Sequence, residues 1–97
     1  MNIIINDKAA DFIRKQSRDN SVTLLITTSG GGWCAVQVPT VQLGKPSKAE
    51  FFNMYTVDDI TVYLRKNTKV KNNELNIFLR KFLWIKELAV EGMQINF

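Results

Sequence analysis

Cys34 is the chain's single cysteine, and it follows the run Gly30-Gly31-Gly32 with only Trp33 between. A thiolate is a strong nucleophile and a soft metal ligand, and its reactivity is set by the local potential. Successive glycines adopt backbone angles closed to other residues, so their N–H groups can form a nest that holds an anion. The functional reading of Gly30, Gly31, Gly32 and Cys34 is therefore a thiolate stabilised by backbone donors, acting as nucleophile or metal ligand. A structural reading stands beside it. The glycines make a sharp hairpin connection, and Cys34 is a small apolar side chain on a strand face shared with Val36 and Val38.

Other chemistry is sparse. The sequence has no histidine, so it offers neither a Ser-His-Asp nor a Cys-His arrangement, and it cannot build the usual four-ligand zinc site from its own nitrogen and sulfur donors. Binding, rather than turnover, is the expected mode of action. Gly44-Lys45-Pro46-Ser47 has the outline of a phosphate-binding loop, but Pro39 stands where that loop needs its first glycine and Pro46 where it needs Ser or Thr. Asp58 and Asp59 are neighbours that would point to opposite faces of a strand, and they read as a turn rather than a carboxylate pair.

A rival reading rests on charge. Arg65, Lys66, Lys69 and Lys71 lie near Tyr63, while Arg80 and Lys81 lie among Phe78, Phe82 and Trp84. Rings that stack and cations that track phosphate suit single-stranded nucleic acid, or a protein-interaction surface that needs no metal. The balance of 13 Lys and Arg against 9 Asp and Glu gives a net charge of +4. That excess, with no base-reading motif, implies only weak, salt-sensitive association with nucleic acid.

These residues need a scaffold, and a chain of 97 residues is a natural size for one domain, burying roughly two-thirds of its unfolded surface. The longest apolar runs, Ile3 to Ile5 and Phe82 to Ile85, fall far short of the roughly 20 residues of a membrane-spanning helix, and the first residues carry no secretory signal. A lone cysteine agrees with a reducing compartment. The expectation is a cytoplasmic protein with no membrane partner.

Periodicity gives an α+β, β-rich domain of short strands and hairpins with one principal N-terminal helix. Ile3 to Ile5 reads as a strand. Asn6 is an N-cap for a helix over residues 7 to 18, with Ala9, Ala10, Ile13 and Phe12 on its apolar side and a turn at Asp19-Asn20-Ser21. Val22 to Thr28 and Cys34 to Val38 read as strands of a hairpin, with Pro39 limiting further pairing. Phe52 to Val57 and Ile60 to Leu64 flank Asp58-Asp59 as a second hairpin. Leu75 to Arg80 alternates after a turn at Lys71-Asn72-Asn73. The stretch from Phe82 to Leu88 fits a strand or a short helix, and Val90 to Phe97 reads as a closing strand.

In the order of these parts the chain resembles the HesB-like, or IscA-like, iron-sulfur biogenesis domain, particularly its divergent CC/Se motif branch. Residues Ile3 to Ala10 are similar to that family's opening strand and alanine-bearing helix, and Thr28-Ser29-Gly30 to the start of its cysteine-bearing turn. Asp59 to Leu64 is similar to its later hydrophobic strand, and Glu91 to Phe97 to the segment before its terminal cysteines. The resemblance implies a single HesB-like domain over residues 1–97, with iron or an iron-sulfur cluster as cofactor and Cys34 as ligand. It also implies a homodimer or a partner protein for metal or cluster transfer. The chain departs from the family pattern in two places. Gly31 stands where the cysteine after Thr-Ser-Gly is expected, three residues before Cys34, and no Cys-x-Cys follows Gly92. The CC/Se branch is named for paired sulfur or selenium, whereas Trp33 precedes Cys34; a selenocysteine UGA codon read as tryptophan would leave this pair.

Overall fold

A computed structural model describes residues 1–30 and 35–94. The chain enters as strand β1 (Asn2–Ile5) and turns into helix α1 (Asp7–Gln16). Asn6 caps the helix as its residue type suggests: its side-chain oxygen accepts the Ala9 N–H at 2.8 Å, and Asp7 lies in the first turn. Ala9, Ala10 and Ile13 are buried, and their spacing of three and four puts them on one stripe. Burying Ile13 alone contributes about 1.5–3 kcal/mol. The helix stops at Gln16, two residues short of the expected end. Ser17 is buried, accepts the Ser21 N–H and donates to Asp19 at 3.0 Å, while Asn20 has φ 51°. The side-chain bonds of this turn replace helical ones.

Strands β2 (Ser21–Ser29), β3 (Val36–Leu43), β4 (Phe52–Val57) and β5 (Ile60–Arg65) form one sheet in the order β3-β2-β5-β4. Strands β6 (Glu74–Phe82) and β7 (Ile85–Glu91) join β1 in a second sheet, β1-β6-β7. The β1–β6 and β2–β5 pairs are parallel, and the hairpins β2–β3, β4–β5 and β6–β7 are antiparallel. The architecture is therefore α+β and β-rich, with α1 the principal helix among the described residues, where no helix is long and apolar enough to cross a membrane. Both sheets contribute to one apolar interior: Val22, Leu24, Ile60, Val62 and Leu64 from one, Ile3, Leu75 and Ile77 from the other, with Ala9, Ala10 and Ile13 from α1.

Three expectations need correction. Pro39 does not end its strand: it pairs with Ile26, and β3 continues to Leu43. β3 is the edge of its sheet, where a missing N–H costs no ladder bond if it faces outward. The ambiguous stretch from Phe82 to Leu88 is neither one strand nor a helix but a reversal, with Phe82 opposite Ile85 and Leu83-Trp84 between them. The strand expected from Val90 belongs to β7, which ends at Glu91 and is followed by Gly92 and a Met93–Val70 bridge; the end of that expectation, residues 95–97, lies outside the described residues. Gly92 has φ +110°, and a Cβ there would collide with the Glu74 carbonyl oxygen, so only glycine lets the chain leave the sheet at this point.

The β4–β5 turn is tied to the helix. Asp58 has φ 53°, and Asp59 accepts from Arg14 through Nε at 3.0 Å and Nη2 at 2.7 Å, a two-pronged pair 45 residues apart in sequence. The guanidinium bonds hold the Asp59 carboxyl below its ordinary value of 3.8, partial burial opposing and its own backbone bond assisting. A lowered folded pKa stabilises above the unfolded value, and this stabilisation is lost as pH falls through the folded one. Asp59→Asn should therefore lower the melting temperature at pH 7, and the gap from wild type should close progressively below pH 3.8. Thermal melts across that range check this, and a gap independent of pH contradicts it.

Candidate functional site

The glycine-rich run belongs to the β2–β3 hairpin. The ladder pairs Val22 with Leu43 at one end and Ser29 with Val36 at the other, so residues 30–35 make the connection. Of the expected site, Gly30 is described and is exposed; its φ of 87° lies in the left-handed region that glycine occupies without penalty. Gly31, Gly32 and Cys34 lie outside the described residues.

What the structure does place is the stem that carries them. Along β2, Val22 and Leu24 are fully buried, Leu25, Ile26 and Thr27 half-buried, and Thr28 exposed. Along β3, Val41 packs against the core, whereas Val38 is 39% and Val36 57% exposed. The hairpin therefore runs out of the interior toward residues 30–35. Its outer half is held by ladder bonds and by a Thr27–Thr40 hydroxyl pair at 2.7 Å, with Thr40 also donating to the Val38 carbonyl at 3.1 Å. The strand face on which the core reading of Cys34 drew is exposed at Val36 and Val38. Alternation reports which residues share a face, not whether another layer covers it, and the sheet here has outrun the interior.

Among the described residues, no group of three or more His, Cys, Asp or Glu gathers as a metal-ligating set. The basic, aromatic surface is divided by the fold. Arg65 lies on the four-stranded sheet, stacked over Phe51 at 4.9 Å and Phe52 at 5.7 Å, while the Tyr63 beside it in sequence is buried. Arg80 lies on the other sheet and is paired with Glu87 at 2.6 Å. Trp84, at the β6–β7 turn, is 81% exposed. Sequence proximity grouped these side chains, but burial and pairing separate Tyr63 and Arg80 from the free cations and rings.

Among the described residues the fold is β-rich α+β, with the capped helix α1 and a glycine-bearing hairpin whose outer described residues leave the core. The chain matches the model of the CC/Se motif containing family over residues 1–93. It belongs to that family. No curated protein and no solved structure matches it.

The exposure of the outer hairpin has a direct consequence for stability. Val36→Thr should change stability by no more than about 0.5 kcal/mol, as at other exposed sites. Val62→Thr, at a fully buried position, should cost about 1–3 kcal/mol for a hydroxyl without a partner. Urea unfolding of the two variants checks this, and equal losses would place the outer hairpin inside a core.

Proposed function

We propose that the protein is a thiol-dependent metal, iron-sulfur or redox accessory protein of the HesB-like type, acting by binding through Cys34 rather than by turnover. The observation that carries this reading is the β2–β3 stem. Its described outer residues leave the apolar interior: Thr28, Gly30, Ala35 and Val36 are exposed. A thiol serving only as core filling has no use for such a stem. The left-handed Gly30 turns the chain out of β2 at the start of the glycine run, in a conformation glycine adopts without penalty. Membership of the CC/Se motif containing family adds to the reading.

The donor set bears on the ligand. One cysteine and no histidine give a soft metal a single strong ligand from each chain. A cluster would take further thiolates from a second copy, a partner protein or a small external thiol, with oxygen donors completing the sphere. Metal binding and association are therefore coupled: the chain dimerises, or docks on a partner, when it is loaded. The HesB-like type and a cytoplasmic setting are part of this proposal.

The thiol itself provides the test. Cys34 should react with a maleimide or disulfide reagent in the folded protein faster than free cysteine does near neutral pH, because backbone donors favour the thiolate. Cys34→Ser should leave the melting temperature within a few degrees of wild type. A thiol protected until unfolding, with a marked loss of stability in the serine variant, is the result expected of a buried sulfur replaced by a hydroxyl, and it would refute the proposal.

A further inference from the structure

Between α1 and the β6–β7 hairpin lies an open groove of about 520 Å³. Lys8 and Lys15 line it from the helix, Lys81 and Lys86 from the hairpin, and Phe12 and Leu79 supply its apolar portion. The one carboxylate lining it, Asp11, already has the Arg14 guanidinium at 3.5 Å. Among the described residues none of the four lysines takes part in a salt bridge.

Two features make this more than a solvated basic face. Lys81 and Lys86 are directly opposite each other in the β6–β7 ladder, an arrangement that repels and lowers stability unless an anion lies between or above them. One ladder pair beyond them the hairpin ends in Leu83, Trp84 and Ile85, which are 65%, 81% and 55% exposed. Leu83 has φ 57°, a left-handed conformation that leucine adopts only at a cost. The chain thus carries strain, like-charge repulsion and exposed apolar surface at one end of one hairpin. The repulsion and the apolar exposure are both relieved by a partner that brings carboxylates and apolar side chains together.

We propose that this groove and the adjoining hairpin tip dock an acidic, apolar segment of a partner protein. The carboxylates would sit between the helix and hairpin lysines, and the apolar side chains against Phe12, Leu79 and the Leu83-Trp84-Ile85 tip. A protein segment fits better than a small metabolite, because the lining offers flexible ammonium groups rather than the few fixed polar groups that orient a small ligand. It fits better than nucleic acid, because the groove holds no arginine and a single aromatic ring, whereas strand binding uses rings in succession. The inference stands independently of Cys34.

The full chain can be titrated against a fluorescein-labelled peptide of two Glu-Glu-Leu-Glu-Glu-Phe repeats, read by fluorescence anisotropy. Binding is expected with a dissociation constant on the order of 10–100 µM at low salt, weakening severalfold as salt screens the lysines. Lys81→Glu with Lys86→Glu should weaken it at least about tenfold, and Trp84→Ala severalfold, whereas Lys66→Glu with Lys69→Glu, an equal change of net charge outside the groove, should leave it within about twofold. If melting shows that the hairpin variant does not fold, Lys8→Ala with Lys15→Ala reads the other wall. Absence of peptide binding, equal loss in groove and control variants, equal binding of a lysine-for-glutamate peptide, or tighter binding of oligothymidylate or phosphatidylserine vesicles through the same lysines would each overturn the proposal.

Discussion

Among the described residues no hydrogen-bonded strand pair joins the two sheets of this protein, so their union depends on one shared apolar interior. Side chains from both sheets and from α1 meet there, with Ile13, Val22, Leu24, Val62, Leu75 and Ile77 at 1% exposure or less. Ladder bonds hold each sheet together but do not orient one against the other. The helix contributes Ala9, Ala10 and Ile13 at this junction, and two alanines let a backbone come close where larger side chains would hold it off. The Arg14–Asp59 pair then fixes the helix against the β4–β5 turn from outside.

The core does not cover the nine-residue strands β2 and β6 along their whole length: Thr28 on one and Arg80 and Lys81 on the other are exposed. Their outer halves emerge from the interior as hairpins stabilised mainly by their own ladders. One hairpin bears the glycine run and Cys34 between its strands; the other ends in Leu83-Trp84 with lysines behind it. The two proposals thus share a physical origin, in that each is carried by a hairpin whose described outer residues the core does not bury. Elsewhere the left-handed turn positions fall to Asn20, Asp58, Asn67, Asn72 and Asn73, residue types that accept that conformation at low cost. Leu83 is the departure from this economy.

Much of the fold was legible because local chemistry and global structure agree. Asn6 followed by the Ala9-Ala10-Ile13 stripe specified the helix and its buried side, and Asp58-Asp59 between β-branched runs specified the β4–β5 hairpin. The failures have separate causes. Pro39 argues against pairing only if the strand is internal, and the sequence does not say which strand is an edge. The Leu83-Trp84 reversal lacks the Gly, Asn or Pro that marks a turn, so the apolar run masked it. Alternation grouped Val36 with Val38 correctly but could not reveal that their face is open. Of the candidate site, the glycine and cysteine types were evident from the sequence; the projecting stem was not, because burial depends on how far two sheets overlap.

Whether Cys34 binds a metal or cluster is decided by anaerobic reconstitution with ferrous iron and sulfide, read together by visible absorbance and by size. Thiolate-to-iron charge-transfer bands that accompany a shift from monomer to dimer, both absent in Cys34→Ser, are the predicted result. A colourless monomer after reconstitution, with or without added glutathione, or bands of equal strength in the serine variant, would show that Cys34 is not the ligand.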